Sequence, residues 1–160
     1  MKTLPHRLLL SLVLCAAAVI AFAPAAAFAQ SGTLTGAWSA NFVDPNGAFT
    51  LPALVTFHAD GNLVESDGGE LSGGGPGIYI SPGFGAWRVL APGKYEMTFQ
   101  SIVINPDGTL FATGSITQVL TLSADGNSFT GTGVYSFIDT QGNVLANGSE
   151  YFNGHRITLH

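Results

Sequence analysis

Cysteine is all but missing: one in 160 residues, Cys15. It falls inside an N-terminal apolar run that reads as a leader, so the folded chain has no thiol. That excludes a disulfide framework, a cysteine nucleophile and a cysteine-based metal site. Positive charge is scarce as well. Five Lys and Arg stand against ten Asp and Glu, which leaves no basic footprint for nucleic acid or for an anionic membrane surface. A helical period is absent from Gln30 onward. Gly-x-Ser-x-Gly, His-Glu-x-x-His and Cys-x-x-Cys do not occur, and neither does a dinucleotide or phosphate loop, so a serine elbow, a zinc site and a nucleotide cofactor have no support. No cofactor and no metal are expected.

What is present begins with a targeting segment. Lys2, His6 and Arg7 form a basic start, Leu8 to Phe22 is apolar apart from Ser11, and Ala27-Phe28-Ala29 has the small-x-small form of a cleavage site. Residues 1–29 are therefore expected to be a signal peptide, removed on export to the periplasm or the medium. Residues 30–160 are expected to form one domain, with no second hydrophobic segment to anchor it in a membrane. Lys2 and Arg7 leave with the leader, so only Arg88, Lys94 and Arg156 face the ten acids.

The remainder is β-rich and punctuated by Gly, Asn, Asp and Pro at hairpin spacing. Strands are expected near Thr35–Val43, Phe49–His58, Leu63–Asp67, Gly85–Leu90, Tyr95–Ile104, Thr109–Leu122, Ser128–Ile138 and Val144–Phe152. Asp60-Gly61-Asn62, Pro106-Asp107-Gly108 and Asp125-Gly126-Asn127 are typical of the breakers between them, residues that tolerate the backbone of tight turns. These acidic turns lack the ligand count of a calcium loop. Eight strands in up-and-down order predict an all-β fold, an eight-stranded antiparallel barrel whose closure removes exposed edges. One connection departs from the pattern. Residues 68–84 are glycine-rich and too long for a hairpin, and the apolar Ile78-Tyr79-Ile80 at their centre suits either a lid or plug at one barrel end or a surface loop.

Gly36-Ala37-Trp38 at the start of the first strand, Arg156 near the end and the eight-strand meander resemble the calycin superfamily of lipocalins, fatty-acid-binding proteins and avidin-like barrels. The resemblance implies that Trp38 packs across a closed base with Arg156 against its ring, a cation–π stack in which the guanidinium also caps carbonyls. The tripeptide recurs as Gly85-Ala86-Trp87, a hint of a duplicated half. The stretches TFHADG, GAWR and TLSADGNSFTG also resemble bacterial secreted proteins of uncharacterised function. Barrels of the allene oxide cyclase type are similar in layout and would imply chemistry in the lumen.

Period-two alternation assigns an inward face to each strand. It places Ala40, Ala53, Ala112, Gly114, Gly131, Gly133 and Gly148 inside, small residues that favour a hollow lumen able to hold one small ligand. Trp38, Phe42, Phe57, Trp87, Tyr95, Phe99, Tyr135 and Phe137 share that face and would either line the space or fill it. The polar residues placed inside are Glu65, Gln118, Tyr135 and Glu150. For Glu65 and Glu150 the expectation is a wet strand end, because an isolated carboxylate in an apolar lumen is costly. Arg88 and His58 are expected to point outward. The candidate ligand-lining set is thus Phe42, Phe57, Glu65, Trp87, Tyr95, Phe99, Gln118, Tyr135 and Glu150. The function expected is binding of a small hydrophobic molecule. The alternatives are a cyclase-like enzyme using Glu65, Glu150 or a tyrosine, and an exported protein-binding or inhibitor module.

Overall fold

The computed structural model describes residues 33–46, 50–68 and 78–159. The leader expected at residues 1–29 lies outside them. Among the described residues nine strands follow in chain order: β1 (Gly36–Val43), β2 (Thr50–Phe57), β3 (Asn62–Asp67), β4 (Tyr79–Ile80), β5 (Gly83–Ala91), β6 (Lys94–Ile104), β7 (Leu110–Leu122), β8 (Ser128–Asp139) and β9 (Val144–Arg156). Every neighbouring pair is antiparallel. β1 pairs with β9 as well as with β2, so the sheet closes into a barrel with eight strands around its wall. Among the described residues no helix is long and apolar enough to cross a membrane.

β4 does not add a ninth stave. It pairs with Val103 and Ile104 of β6, beyond the part of β6 that pairs with β5, and so continues β5 along the same edge. Pro82 has no N–H to give the ladder and breaks the strand there. Ser81 holds the two pieces in line: its N–H donates to Ile102 O at 2.9 Å, and its Oγ accepts from Ile102 N–H at 3.0 Å. The glycine-rich stretch 68–84 therefore divides. Residues 79–80 and 83–84 are barrel wall, with the Tyr79 side chain exposed, while residues 69–77 lie outside the described residues.

Four of the hairpin turns repeat one device. In each, an aspartate accepts the N–H two residues on: Asp60 from Asn62, Asp107 from Thr109, Asp125 from Asn127 and Asp139 from Gln141. The following glycine, at 61, 108, 126 or 142, has positive φ and turns the chain back. These hydrogen bonds hold all four carboxyls below the ordinary aspartate value.

β9 is longer than the sequence suggests and runs to Arg156 instead of ending at Phe152. Asn153 and Gly154, beyond the expected end, pair with Asn41 and Ala40 of β1 and so stay in the ladder. That extension sets Arg156 directly opposite Trp38. This end is the base of the barrel.

Candidate functional site

The base half is solid. Trp38, Phe57, Phe129 and Phe152 are each at most 2 % exposed, and Leu34, Leu63, Met97 and Leu120 fill between them. The rings meet mainly by edges. Trp38 stands 5.1 Å from Phe129 at 61°, Phe57 6.0 Å from Trp87 at 83°, and Trp87 5.7 Å from Tyr95 at 60°. Such tilted contacts place positive ring edges on negative faces. Both indole N–H groups are satisfied locally: Trp38 donates to Leu34 O and Trp87 to His58 O, each at 2.9 Å.

Arg156 closes this end. Its Cζ lies 4.3 Å from the Trp38 ring centroid. Nε donates to Gly126 O at 3.0 Å, Nη1 to Thr35 O at 2.7 Å and Nη2 to Thr33 O at 2.6 Å. One planar fork thus ties the N-terminal arm, the β7–β8 turn and the last strand together. Gly36 is required beside it, because a Cβ there would lie 2.6 Å from Nη1 and the backbone has φ of +133°. The repeated Gly-Ala-Trp is not a copy of this arrangement. At Gly85 a Cβ would strike the Thr98 carbonyl oxygen at 1.9 Å, and Arg88 points outward to pair with Glu96.

The opposite half holds a cavity of about 200 Å³ lined by Phe42, Leu51, Asp67, Phe99, Ile116, Tyr135, Phe137 and Glu150. Phe42 stacks on Phe152 at 4.4 Å and so joins the packed base to the cavity. A second apolar hollow, of about 260 Å³, adjoins it through Phe137 and is lined also by Ile78, Ile80, Val103, Phe111, Ala112, Leu145 and Ala146.

Glu65 and Glu150 are not at wet strand ends as expected. They are 3 % and 8 % exposed, and Gln118 is 1 % exposed. What makes the burial tolerable for Glu150 is a hydrogen bond passing over Gly133 of the intervening strand, with Gln118 Nε2 donating to Glu150 Oε1 at 2.7 Å. Burial still pushes the Glu150 carboxyl above the usual glutamate value. The Gln118 bond opposes that rise and the negative charge of Asp67 adds to it. Gln118 Oε1 is buried and has no hydrogen-bond partner. The Glu65 carboxylate lies toward Gly83 on β5, where a Cβ would come within 2.9 Å of Oε2.

The inward glycines do not create the void. Their missing side chains are replaced by a neighbour's: a Cβ on Gly148 would lie 2.8 Å from Tyr135 Oη, and one on Gly154 would lie 2.6 Å from the Phe129 ring. Each glycine is a seat for a large group on the adjacent strand.

Of the residues singled out from sequence, Phe42, Phe99, Tyr135 and Glu150 line the cavity together. Phe57, Trp87 and Tyr95 join the base through ring contacts that run from Tyr95 to Trp87, Phe57 and Phe129, while Glu65 and Gln118 are buried polar groups outside the cavity lining. Trp38 and Arg156 meet. Arg88 and His58 point outward. Phe137, which alternation places inward, also lines the cavity although it is not in the candidate set, and Leu51, Asp67 and Ile116 are the lining residues not singled out for the lumen. Leu51 and Ile116 lie on faces that alternation already turns inward, and Asp67 has the same parity as Glu65, so parity alone is the signal for Leu51, Asp67 and Ile116. Among the described residues no group of three or more His, Cys, Asp and Glu could hold a metal ion. The closed eight-stranded antiparallel barrel is consistent with a calycin-like architecture. No protein-family model matches the chain, and no curated protein or solved structure is significantly similar to it.

Proposed function

We propose that this chain is an exported binding protein that holds one small, largely apolar molecule in the upper half of its barrel. The observation that carries the reading is the cavity of about 200 Å³, walled by four aromatic rings and two aliphatic side chains, with Asp67 and Glu150 as its carboxylates. Apolar walls with a few fixed polar groups are the usual character of a small-molecule site. The size bounds the ligand. Pockets for drug-sized molecules begin near ~300 Å³, whereas an apolar cavity of ~150 Å³ accepts benzene. A single ring with a short substituent is the scale that fits.

Native mass spectrometry of the protein recovered from its own host tests this directly. One small molecule, released on denaturation, is expected on the wild type and lost from Leu51→Trp, which puts an indole into the cavity. A block at an inward glycine such as Gly133 would disturb the wall itself, since even a Cβ there would lie 2.2 Å from the Thr117 carbonyl oxygen. A bare polypeptide that also shows no thermal shift with 2-phenylethanol would end the binding reading.

A second reading, catalysis in the same cavity, draws on Glu150 alone. A carboxyl with a raised pKa against apolar walls is suited to proton transfer. Turnover of a bound molecule that is lost in Glu150→Gln would favour it over simple binding.

A further inference from the structure

Two hollows lie in series in the upper half, and the strand register gives their order along the barrel. On β8 and β9 the inward pairs run Gly133–Glu150, Tyr135–Gly148 and Phe137–Ala146, from the base side toward the rim. Glu150 thus stands at the lower end of the cavity, the Tyr135 hydroxyl lies over Gly148, and Phe137 is the upper wall. Beyond Phe137 is the hollow of about 260 Å³. Among the described residues the half-buried Phe137 is the one side chain that lines both. The two spaces differ in chemistry. The cavity mixes rings with carboxyl and hydroxyl groups. The rim hollow is lined by apolar side chains alone, and two of them, Phe111 and Leu145, are 38 % and 47 % exposed. Apolar surface left open to water favours an apolar occupant. Neither space alone reaches the ~300 Å³ at which pockets for drug-sized ligands begin, and the two in series exceed it. From Glu150 to Ala146 the strand rises about 13 Å, longer than a single ring.

Building on the reading of this cavity as a ligand site, we propose that its ligand is an elongated alkylphenol: one ring with a hydroxyl at one end and an unbranched alkyl chain at the other. The ring lies among Phe42, Phe99 and Tyr135, the hydroxyl points down toward Glu150, and the chain passes Phe137 into the rim hollow. A hydroxyl both donates and accepts, which suits a lower end that offers the Glu150 carboxyl and the Tyr135 hydroxyl. The chain covers the exposed faces of Phe111 and Leu145, which a ring confined to the cavity leaves in water.

Two probes that differ only in chain length, 4-ethylphenol and 4-hexylphenol, are titrated calorimetrically into the purified protein. The longer is expected to bind about tenfold or more tighter, since each buried methylene supplies roughly a fourfold gain. That ratio is expected to fall toward one in Ala146→Trp, which fills the rim hollow from an exposed position, with 4-ethylphenol binding retained. Leu145→Trp is the second block if circular dichroism shows the first unfolded. Thr132→Trp, which sets the same indole on the exposed outer face of β8, is expected to keep the wild-type ratio. Tyr135→Phe is expected to weaken both phenols by a similar factor, roughly fivefold, and undiminished binding there overturns the placement of the hydroxyl. A wild-type ratio near one, or a ratio that a folded rim block leaves unchanged, overturns the chain's path and leaves the cavity as a site for a single ring. Failure of both phenols on the wild type removes the binding reading and this proposal together.

Discussion

The two halves of this barrel are made from the same strands by the same alternation, yet one is full and the other holds space. At the base, large rings meet ring edges, and the indole N–H groups and the guanidinium find backbone carbonyls within the same cluster. In the upper half the inward positions carry Glu65, Ser101, Gln118 and Glu150, all buried, and rings are interspersed with carboxylates around a cavity. Burying polar groups opposes stability unless they are paired, whereas burying rings favours it by roughly 1.5–3 kcal/mol each. The comparison suggests a division of labour. The base supplies the stability that lets the upper half keep its polar, incompletely filled interior.

Truncation should expose this asymmetry most strongly. Trp38→Ala removes a fully buried indole together with its bond to Leu34 O and the face beneath Arg156. It is expected to cost about 3–5 kcal/mol in urea unfolding. Phe137→Ala, on a half-buried ring beside the cavity, is expected to cost about 1 kcal/mol. Equal losses at the two sites would break the comparison.

Next in size is Arg156→Lys. An ammonium keeps the charge but cannot span Gly126, Thr35 and Thr33 at once. A loss of about 1–3 kcal/mol is expected, with ligand binding in the upper half unchanged. A charge-only role would instead show as a lysine variant as stable as the wild type.

The smallest effect concerns pH. The Glu150 carboxyl lies above its ordinary value of 4.5 in the folded state because of burial, with Gln118 opposing and Asp67 reinforcing the shift. The native state thus holds that proton more tightly than the unfolded chain, so stability from this group declines as pH rises from the ordinary value through the raised one. Glu150→Gln should remove that decline and leave the variant relatively more stable at neutral pH, as urea midpoints across the window would record. The exposed turn aspartates work in the opposite direction. Their lowered values add stability above the ordinary aspartate value that is lost as the pH falls through the lowered ones.

The sequence makes the wall easy to read and the interior hard. Alternation puts Trp38, Phe42, Phe99, Gln118 and Glu150 inside because each strand has one buried face and the period is two. The turns are legible because Asp-Gly-Asn and Asp-Gly-Thr carry their own geometry. β4 is not, being two residues between glycines and Pro82 that are strands only because β6 is there to pair with them. The burial of Glu150 is equally hidden, since the group that receives it, Gln118, is 32 positions away. Parity gives a residue's face but not its height along the barrel, which strand stagger sets. That is why Phe57, Trp87 and Tyr95 looked equivalent to Phe42 and Phe99 while lying in the base. The position of the cavity follows from rings resting over glycines of the next strand, as Tyr135 does over Gly148, and no single strand encodes that.

The most direct measurement is a titration of isotope-labelled protein with 2-phenylethanol, followed by amide and methyl NMR shifts. The account predicts saturable shifts confined to Leu51, Ile116, Tyr135, Phe137 and their neighbours, with Leu34, Trp38, Leu120 and Phe129 silent. Shifts centred on the base residues, or spread evenly over the outer surface, would contradict a barrel that is solid below and hollow above.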